Sequence, residues 1–293
     1  MPFFTKGYNI YQNKLYYSNS IINKNVLSNH INNSTLNKLT NKNPSTDRLV
    51  YSSQNPYGSF TRNPSCWING VNNISCFSPA QLSGFAWNKT AGTLITTKHI
   101  LQAKHFNTAI LPGGTTFVFV DSNNNVVYRK LIAYEYDPRI ASNGTTQYTD
   151  IAVGLLDNDV PSNIKIAKVL PTNYGDYINY GLLAVALNQQ EKAILKQWTG
   201  QYSNSYLDLT SYSTTLLNYN NFSEDIVTGD SGNPAFIIID NELVLLSCFT
   251  STIGGVFVTS RYDAINDAIN RLSPNEGYSL TPIDLQAAYY KYS

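Results

Sequence analysis

A chain of 293 residues, 42% of them hydrophobic and 13% charged, is long and apolar enough to bury a full core as one large domain or two small ones. A net charge of +1 excludes a surface built throughout for nucleic acid, and three cysteines with three histidines exclude a disulfide scaffold and argue against a structural zinc site. Apolar runs such as Gly181–Leu187 and Ala235–Ile239 fall far short of the ~20 residues of a membrane helix, and the start MPFFTKGYNIYQ shows no apolar signal-peptide core.

The first 60 residues carry Lys6, Lys14, Lys24, Lys38, Lys42 and Arg48 against Asp47 alone. They are rich in Asn, Ser and Tyr and keep neither a helical nor a strand period, which predicts an extended arm over 1–64. Such an arm can tether the chain to a larger assembly, or it can be a solvated tail.

The pattern then changes. Tyr occurs 22 times and Phe 12 times, residues that suit pleated, half-buried surfaces. Short strand-like runs follow at Gly84–Trp87, Gly92–Thr96, Thr116–Val120, Val126–Ile132, Ile151–Leu155, Ala235–Ile239 and Leu243–Phe249. Turn residues punctuate them at Pro112-Gly113-Gly114, Ser122–Asn125 and Asp240-Asn241. This spacing predicts an all-β sandwich or barrel. One helix is expected at Tyr262–Arg271, where Ile265, Ala268 and Ile269 share a face, with a tail at 273–293.

Chemistry concentrates at Thr228-Gly229-Asp230-Ser231-Gly232-Asn233-Pro234, directly before the apolar run Ala235–Ile239. Flanking glycines allow a tight turn that presents one hydroxyl and aims the amides of Gly229 and Ser231 at a single point, as an oxyanion hole requires. A serine nucleophile needs a base, and the base needs an orienting acid. Two histidines, His99 and His105, lie in the stretch Gly92–His105, and Asp150 stands at the mouth of the apolar run Ile151–Leu156.

In these three landmarks the chain resembles the trypsin/chymotrypsin-like serine peptidases, whose members show V-L-T-A-A-H, a D-I-A-L-L-type strand and G-D-S-G-G-P in this order. The resemblance spans about 83–271 and implies two packed antiparallel β-barrels, the first over 65–157 and the second, with its C-terminal helix, over 158–272. It implies peptide-bond hydrolysis on a polypeptide substrate without cofactor or metal, with His99, Asp150 and Ser231 as the triad and Gly229 and Ser231 as oxyanion donors. Leu94–His99 matches V-L-T-A-A-H position for position, whereas His105 follows what reads as a polar turn, Gln102–Lys104. His99 is therefore expected to be the base, with His105 and His30 facing solvent.

The resemblance further implies a substrate pocket. Asp225, six residues before Ser231, falls where base-selecting members keep a buried carboxylate, although it can equally be a loop acid. Ser247-Cys248-Phe249 and Gly254-Gly255 resemble the strands that border the pocket, with Phe249 narrowing its entrance. No activation site precedes the first barrel, so Asp230 needs a partner other than the freed N-terminal ammonium of activated members. Cys66 and Cys76 are either bridged across a hairpin or reduced, and Cys248 reads as a small core residue. The rival reading is a structural protein, carried in a virus or phage particle, that keeps the peptidase fold without catalysis. Neither membrane insertion nor specific nucleic-acid binding is expected.

Overall fold

The computed structural model describes residues 8–11, 14–17, 22–55, 57–83, 86–88, 92–106, 114–140, 146–202, 206–211 and 219–293. Part of the expected strand Gly84–Trp87 and of the turn Pro112-Gly113-Gly114 lies outside them. Among the described residues the protein is mostly β, built on two seven-stranded sheets flanked by three helices.

Ahead of the sheets stand the hairpin β1 (Tyr8–Tyr11) and β2 (Lys14–Tyr17), helix α1 (Lys24–Leu39), and the short pair β3 (Tyr51–Gln54) and β4 (Phe60–Arg62). The first sheet holds β5 (Ala80–Ser83), β6 (Ala86–Asn88), β7 (Thr93–Leu94), β8 (His99–Ala103), β9 (Thr115–Val120), β10 (Val126–Ile140) and β11 (Thr146–Leu156). Its order is β6-β5-β9-β10-β11-β8-β7, a curled half-barrel around Ile100, Phe117, Phe119 and Leu131.

The second sheet holds β12 (Lys168–Val169), β13 (Leu182–Leu187), β14 (Ala193–Tyr202), β15 (Tyr206–Ser211), β16 (Pro234–Ile239), β17 (Glu242–Ser251) and β18 (Gly254–Phe257). Because β18 pairs with both β15 and β17, six of these strands close into a barrel, and β12 adds itself to β17 in parallel. The strands β13, β16 and β17 are buried on both faces, which is why they read as continuous apolar runs and not as alternation. The hairpin β16–β17 turns at Asp240 and Asn241, both with positive φ (50° and 63°), as a tight two-residue hairpin loop requires. Helix α2 (Tyr262–Leu272) buries Ile265, Ala268 and Ile269, the face expected from their spacing.

Two expectations about the ends of the chain are corrected. Within the expected extended arm over 1–64, the described residues 24–39 form a helix instead: α1 lies against the second barrel and buries Leu27, Ile31, Thr35 and Leu39, one residue per four along a single face. Its seven-residue run from Ser28 to Ser34 is dominated by Asn and Ser, and the buried stripe contains a threonine whose hydroxyl bonds back to Ile31 O (3.0 Å), so the apolar period is faint in the sequence. Tertiary burial, with Asn23 capping the first turn, overrides weak propensity.

The following stretch straps the two sheets together. Val50 N–H donates to Glu191 O (2.9 Å), Trp67 Nε1–H to Ala193 O (2.7 Å), and the buried Arg62 guanidinium to the carbonyls of Asp121 and Val120. The expected tail 273–293 instead contributes Leu280, Ile283 and helix α3 (Leu285–Tyr292), whose Leu285, Ala288 and Tyr289 join Leu27 and Ile31 of α1 in one apolar cluster. His30 is half-buried, with its ring stacked on Tyr292 at 3.3 Å between centroids, and is not the solvent-facing residue expected.

Candidate active site

Strand β8 alternates its side chains between two apolar clusters: Ile100 enters the half-barrel, while Leu101 and Ala103 face the other way. It runs directly into a single turn of 3-10 helix, Lys104–Phe106, which carries His105. Neighbouring β11 pairs Ile151 with Ala103, so Asp150 arrives one residue beyond the end of β8. The imidazole Nδ1–H of His105 donates to Asp150 Oδ2 (2.6 Å), and the His105 backbone N–H donates to Asp150 Oδ1 (2.9 Å). Both carboxylate oxygens thus hold the same residue, fixing ring and tautomer and leaving Nε2 as the acceptor. Side-chain exposures of 41% and 30% place the pair at the protein surface. The Lys104 ammonium sits over the Tyr136 ring, 5.3 Å from its centroid.

The partner of Asp150 is thus His105 and not the expected His99. His99 does not pair with Asp150; it begins β8 opposite Leu155 and is wholly buried. Thr96 Oγ1 accepts from the N–H groups of Lys98 (3.1 Å) and His99 (2.9 Å), so its own hydrogen goes to His99 Nδ1 (2.8 Å). The ring meets Tyr278 edge-on at 5.2 Å, and Nε2 has no partner among the described residues. Burial lowers its pKa to about 4, with the Lys98 charge adding to that, so the ring is a neutral core group. The sequence does carry the signal for His105. Ile100-Leu101-Gln102-Ala103-Lys104-His105 has an apolar strand entering a histidine, but the buried Gln102 made its end read as a polar turn.

The Ser231 turn forms as its glycines suggest. Gly229 (φ +104°) and Gly232 (φ +80°) occupy backbone conformations that side chains resist, and Ser231 between them is half-buried. The Gln189 carboxamide lies beside Gly229, its Oε1 2.9 Å from where a Cβ would stand. The Asp230 carboxylate is wholly buried and points back into the protein. Its Oδ1 accepts from Gln189 N–H and its Oδ2 from Val227 N–H, each at 2.9 Å.

The turn is pinned to β17 by Gly232 N–H donating to Phe249 O (2.7 Å) and Phe249 N–H donating to Asn233 O (2.8 Å). Strand β17 in turn touches β8 and β11 across the junction of the sheets. Asp150 is close enough to Cys248 to help raise its thiol, which burial first and that carboxylate second push up to about 12. The histidine–aspartate pair and the serine turn therefore flank the same stretch of β17.

The expected pocket residues fare differently. Asp225 is exposed and accepts from Ser211 Oγ (3.0 Å), so it is a loop acid and not a buried floor. Phe249 does not narrow an entrance: it is wholly buried beside Trp198, Leu207 and Phe257, and both its backbone groups are taken by the serine turn. Ser247 and Cys248 are equally buried, which leaves their side chains away from solvent. Gly255 opposes Phe249, where a Cβ would fall 1.8 Å from Cys248 O, so its glycine is required by strand packing. Cys66 and Cys76 are free, buried thiols, and burial pushes that of Cys66 up to about 11. Among the described residues no three His, Cys, Asp or Glu side chains gather as a metal site needs.

Solved structures share this architecture. Human heparin binding protein superposes with a TM-score of 0.50 at 13% identity, covering 71% of this chain and 96% of its own. A mutant of the same protein (CAP37) gives 0.50 at 14% identity over the same shares. The fold is trypsin-like. At such identities the likeness establishes the trypsin-like fold alone. No family model matches the sequence, and no curated protein matches it.

Proposed function

We propose that the protein is a serine endopeptidase working through an acyl-enzyme, with Ser231 as nucleophile, His105 as general base and Asp150 as the orienting acid. The observation that carries this reading is the His105–Asp150 pair at 2.6 Å, held by both carboxylate oxygens beside the strand that pins the serine turn. Neutral His105 keeps its proton on Nδ1 and takes that of Ser231 on Nε2 as the hydroxyl attacks a peptide carbonyl. Asp150 stabilises the resulting imidazolium. The Gly229 and Ser231 amides receive the developing oxyanion. The imidazolium protonates the leaving amine, and water activated by His105 then releases the acyl group.

Labelling of purified protein with a fluorophosphonate tests the reading. Label on Ser231 that disappears in His105→Ala supports it, and a wild type that stays unlabelled would leave a structural protein with a peptidase fold.

A further inference from the structure

Where α1, α3 and the β16–β17 hairpin meet, they line a pocket of about 340 Å³ that shares no residue with the serine site. One face of α1 supplies His30, Ser34 and Lys38, each half-buried and four residues from the next. The first acidic residue of the chain is Asp47, so the helix brings cations and no anion to the pocket. Adjacent residues of the hairpin turn place the two ammonium groups. Lys38 Nζ donates to Asn241 Oδ1 (2.8 Å), and Asn241 is itself held by its Nδ2 donating to Gly70 O (2.8 Å). Lys291 Nζ donates to Asp240 Oδ1 (2.8 Å), to which the Tyr292 hydroxyl also donates. Partial burial pushes the Asp240 carboxyl up, but these two bonds more than offset it, so Asp240 is the anion that balances Lys291. Lys38 has no such counter-charge among the described residues. Burial lowers its pKa, and the charge of Lys42 adds to that. Ser34 Oγ and His30 Nε2 share one hydrogen bond (3.1 Å), and in either tautomer one hydrogen of the pair is left to donate. The stacked rings of His30 and Tyr292, with Ile238, add apolar surface beside these charges.

The geometry points to a binding site for a small phosphate monoester, its phosphoryl oxygens taken by Lys38, Lys291 and the Ser34–His30 pair and its organic group lying against the His30–Tyr292 stack and Ile238. A phosphate monoester brings a charge of about −1.5 to −2 and three acceptor oxygens, which matches two ammonium groups set against one carboxylate together with a further neutral donor. A carboxylate brings one charge and two oxygens and leaves a donor unused. Lysine suits this role as a rotatable point charge on a flexible stem. The bound phosphoryl group gives Lys38 the counter-charge it lacks. The pocket volume lies at the small end of the roughly 300–1,000 Å³ of ligand sites, which gives room for a phosphoryl group carrying one ring.

Calorimetric titration of the full-length protein with phenyl phosphate, in salt of about 0.15 M to screen diffuse attraction, tests the site. Saturable binding at one site is expected. Lys38→Met and Lys291→Ala should each weaken it by about tenfold, since each removes one charge-assisted contact. Should Lys38→Met fail to fold, Lys291→Ala still decides, because that side chain is 58% exposed. Lys24→Met, at the other end of α1 and about 21 Å away along its axis, should bind as wild type does. Inorganic phosphate lacks the ring and benzoate lacks the third oxygen, so each should bind about tenfold more weakly than phenyl phosphate. No saturable binding up to about 10 mM phenyl phosphate overturns the inference. Wild-type affinity in either pocket-lysine variant also overturns it, as does an equal loss in Lys24→Met. Benzoate or inorganic phosphate bound as tightly as phenyl phosphate overturns the assignment to a phosphate monoester.

Discussion

His105 and Asp150 stand 45 residues apart in the chain, yet share two hydrogen bonds, one from the ring and one from the backbone. The pairing of β8 with β11 brings them together, and the helical turn after Ala103 aims the ring. His99, six residues earlier, faces a threonine and a tyrosine instead.

Exchange of either member of the pair should therefore separate the two histidines. Asp150→Asn and His105→Ala are each expected to cut peptide or ester hydrolysis by up to about 10⁴-fold, because the tautomer or the base is lost. His99→Gln should keep turnover within a few-fold of wild type. Steady-state rates on one ester substrate suffice, and a His99 variant as inactive as His105→Ala would return the base to His99.

His99 should instead appear in the pH dependence of stability. Its folded pKa of about 4 lies below the ~6.5 of an unfolded histidine, so between these values only the unfolded chain binds the proton. Stability from this group is complete above pH ~6.5, declines as pH falls, and changes no further below about 4, a loss of up to about 3 kcal/mol. Urea unfolding at pH 7 and pH 4.5 should show a smaller decline for His99→Gln than for wild type. Equal declines would mean that His99 does not titrate in this way.

The N-terminal helix should be part of the stable core. Leu27→Ala and Ile31→Ala, at wholly buried positions, are each expected to cost about 2–5 kcal/mol in urea unfolding. Deletion of residues 1–60 should give a chain that no longer unfolds cooperatively, since it also removes Val50, Tyr51 and Phe60 from the central cluster. A deletion that melted like the intact protein would contradict this packing.

Selectivity should not depend on Asp225. Its exposed carboxylate is solvated by water and accepts from the Ser211 hydroxyl, so Asp225→Ser should leave the residue preferred before the scissile bond unchanged. A peptide-library profile of both proteins decides this. A basic preference lost in the variant would place Asp225 in the pocket after all.

Much of the architecture is legible in the amino acids because its causes are local. Apolar runs bounded by turn residues mark β9, β16 and β17, Asp240-Asn241 marks their hairpin, and Ile265, Ala268 and Ile269 mark the buried face of α2. The serine turn is legible for the same reason, as its two glycines are demanded by backbone conformations at those very positions. What the sequence could not decide was contact between distant parts. Which histidine meets Asp150 depends on the register of β8 against β11, and a shift of a few residues separates a buried neutral ring from an exposed paired one. That α1 is a helix at all depends on a barrel and on α3 lying ready to bury Leu27 and Ile31, since its own propensity is poor. The partners of Asp230 are backbone amides, which every residue but proline carries, so no side-chain pattern names them and only the folded chain selects Gln189 and Val227.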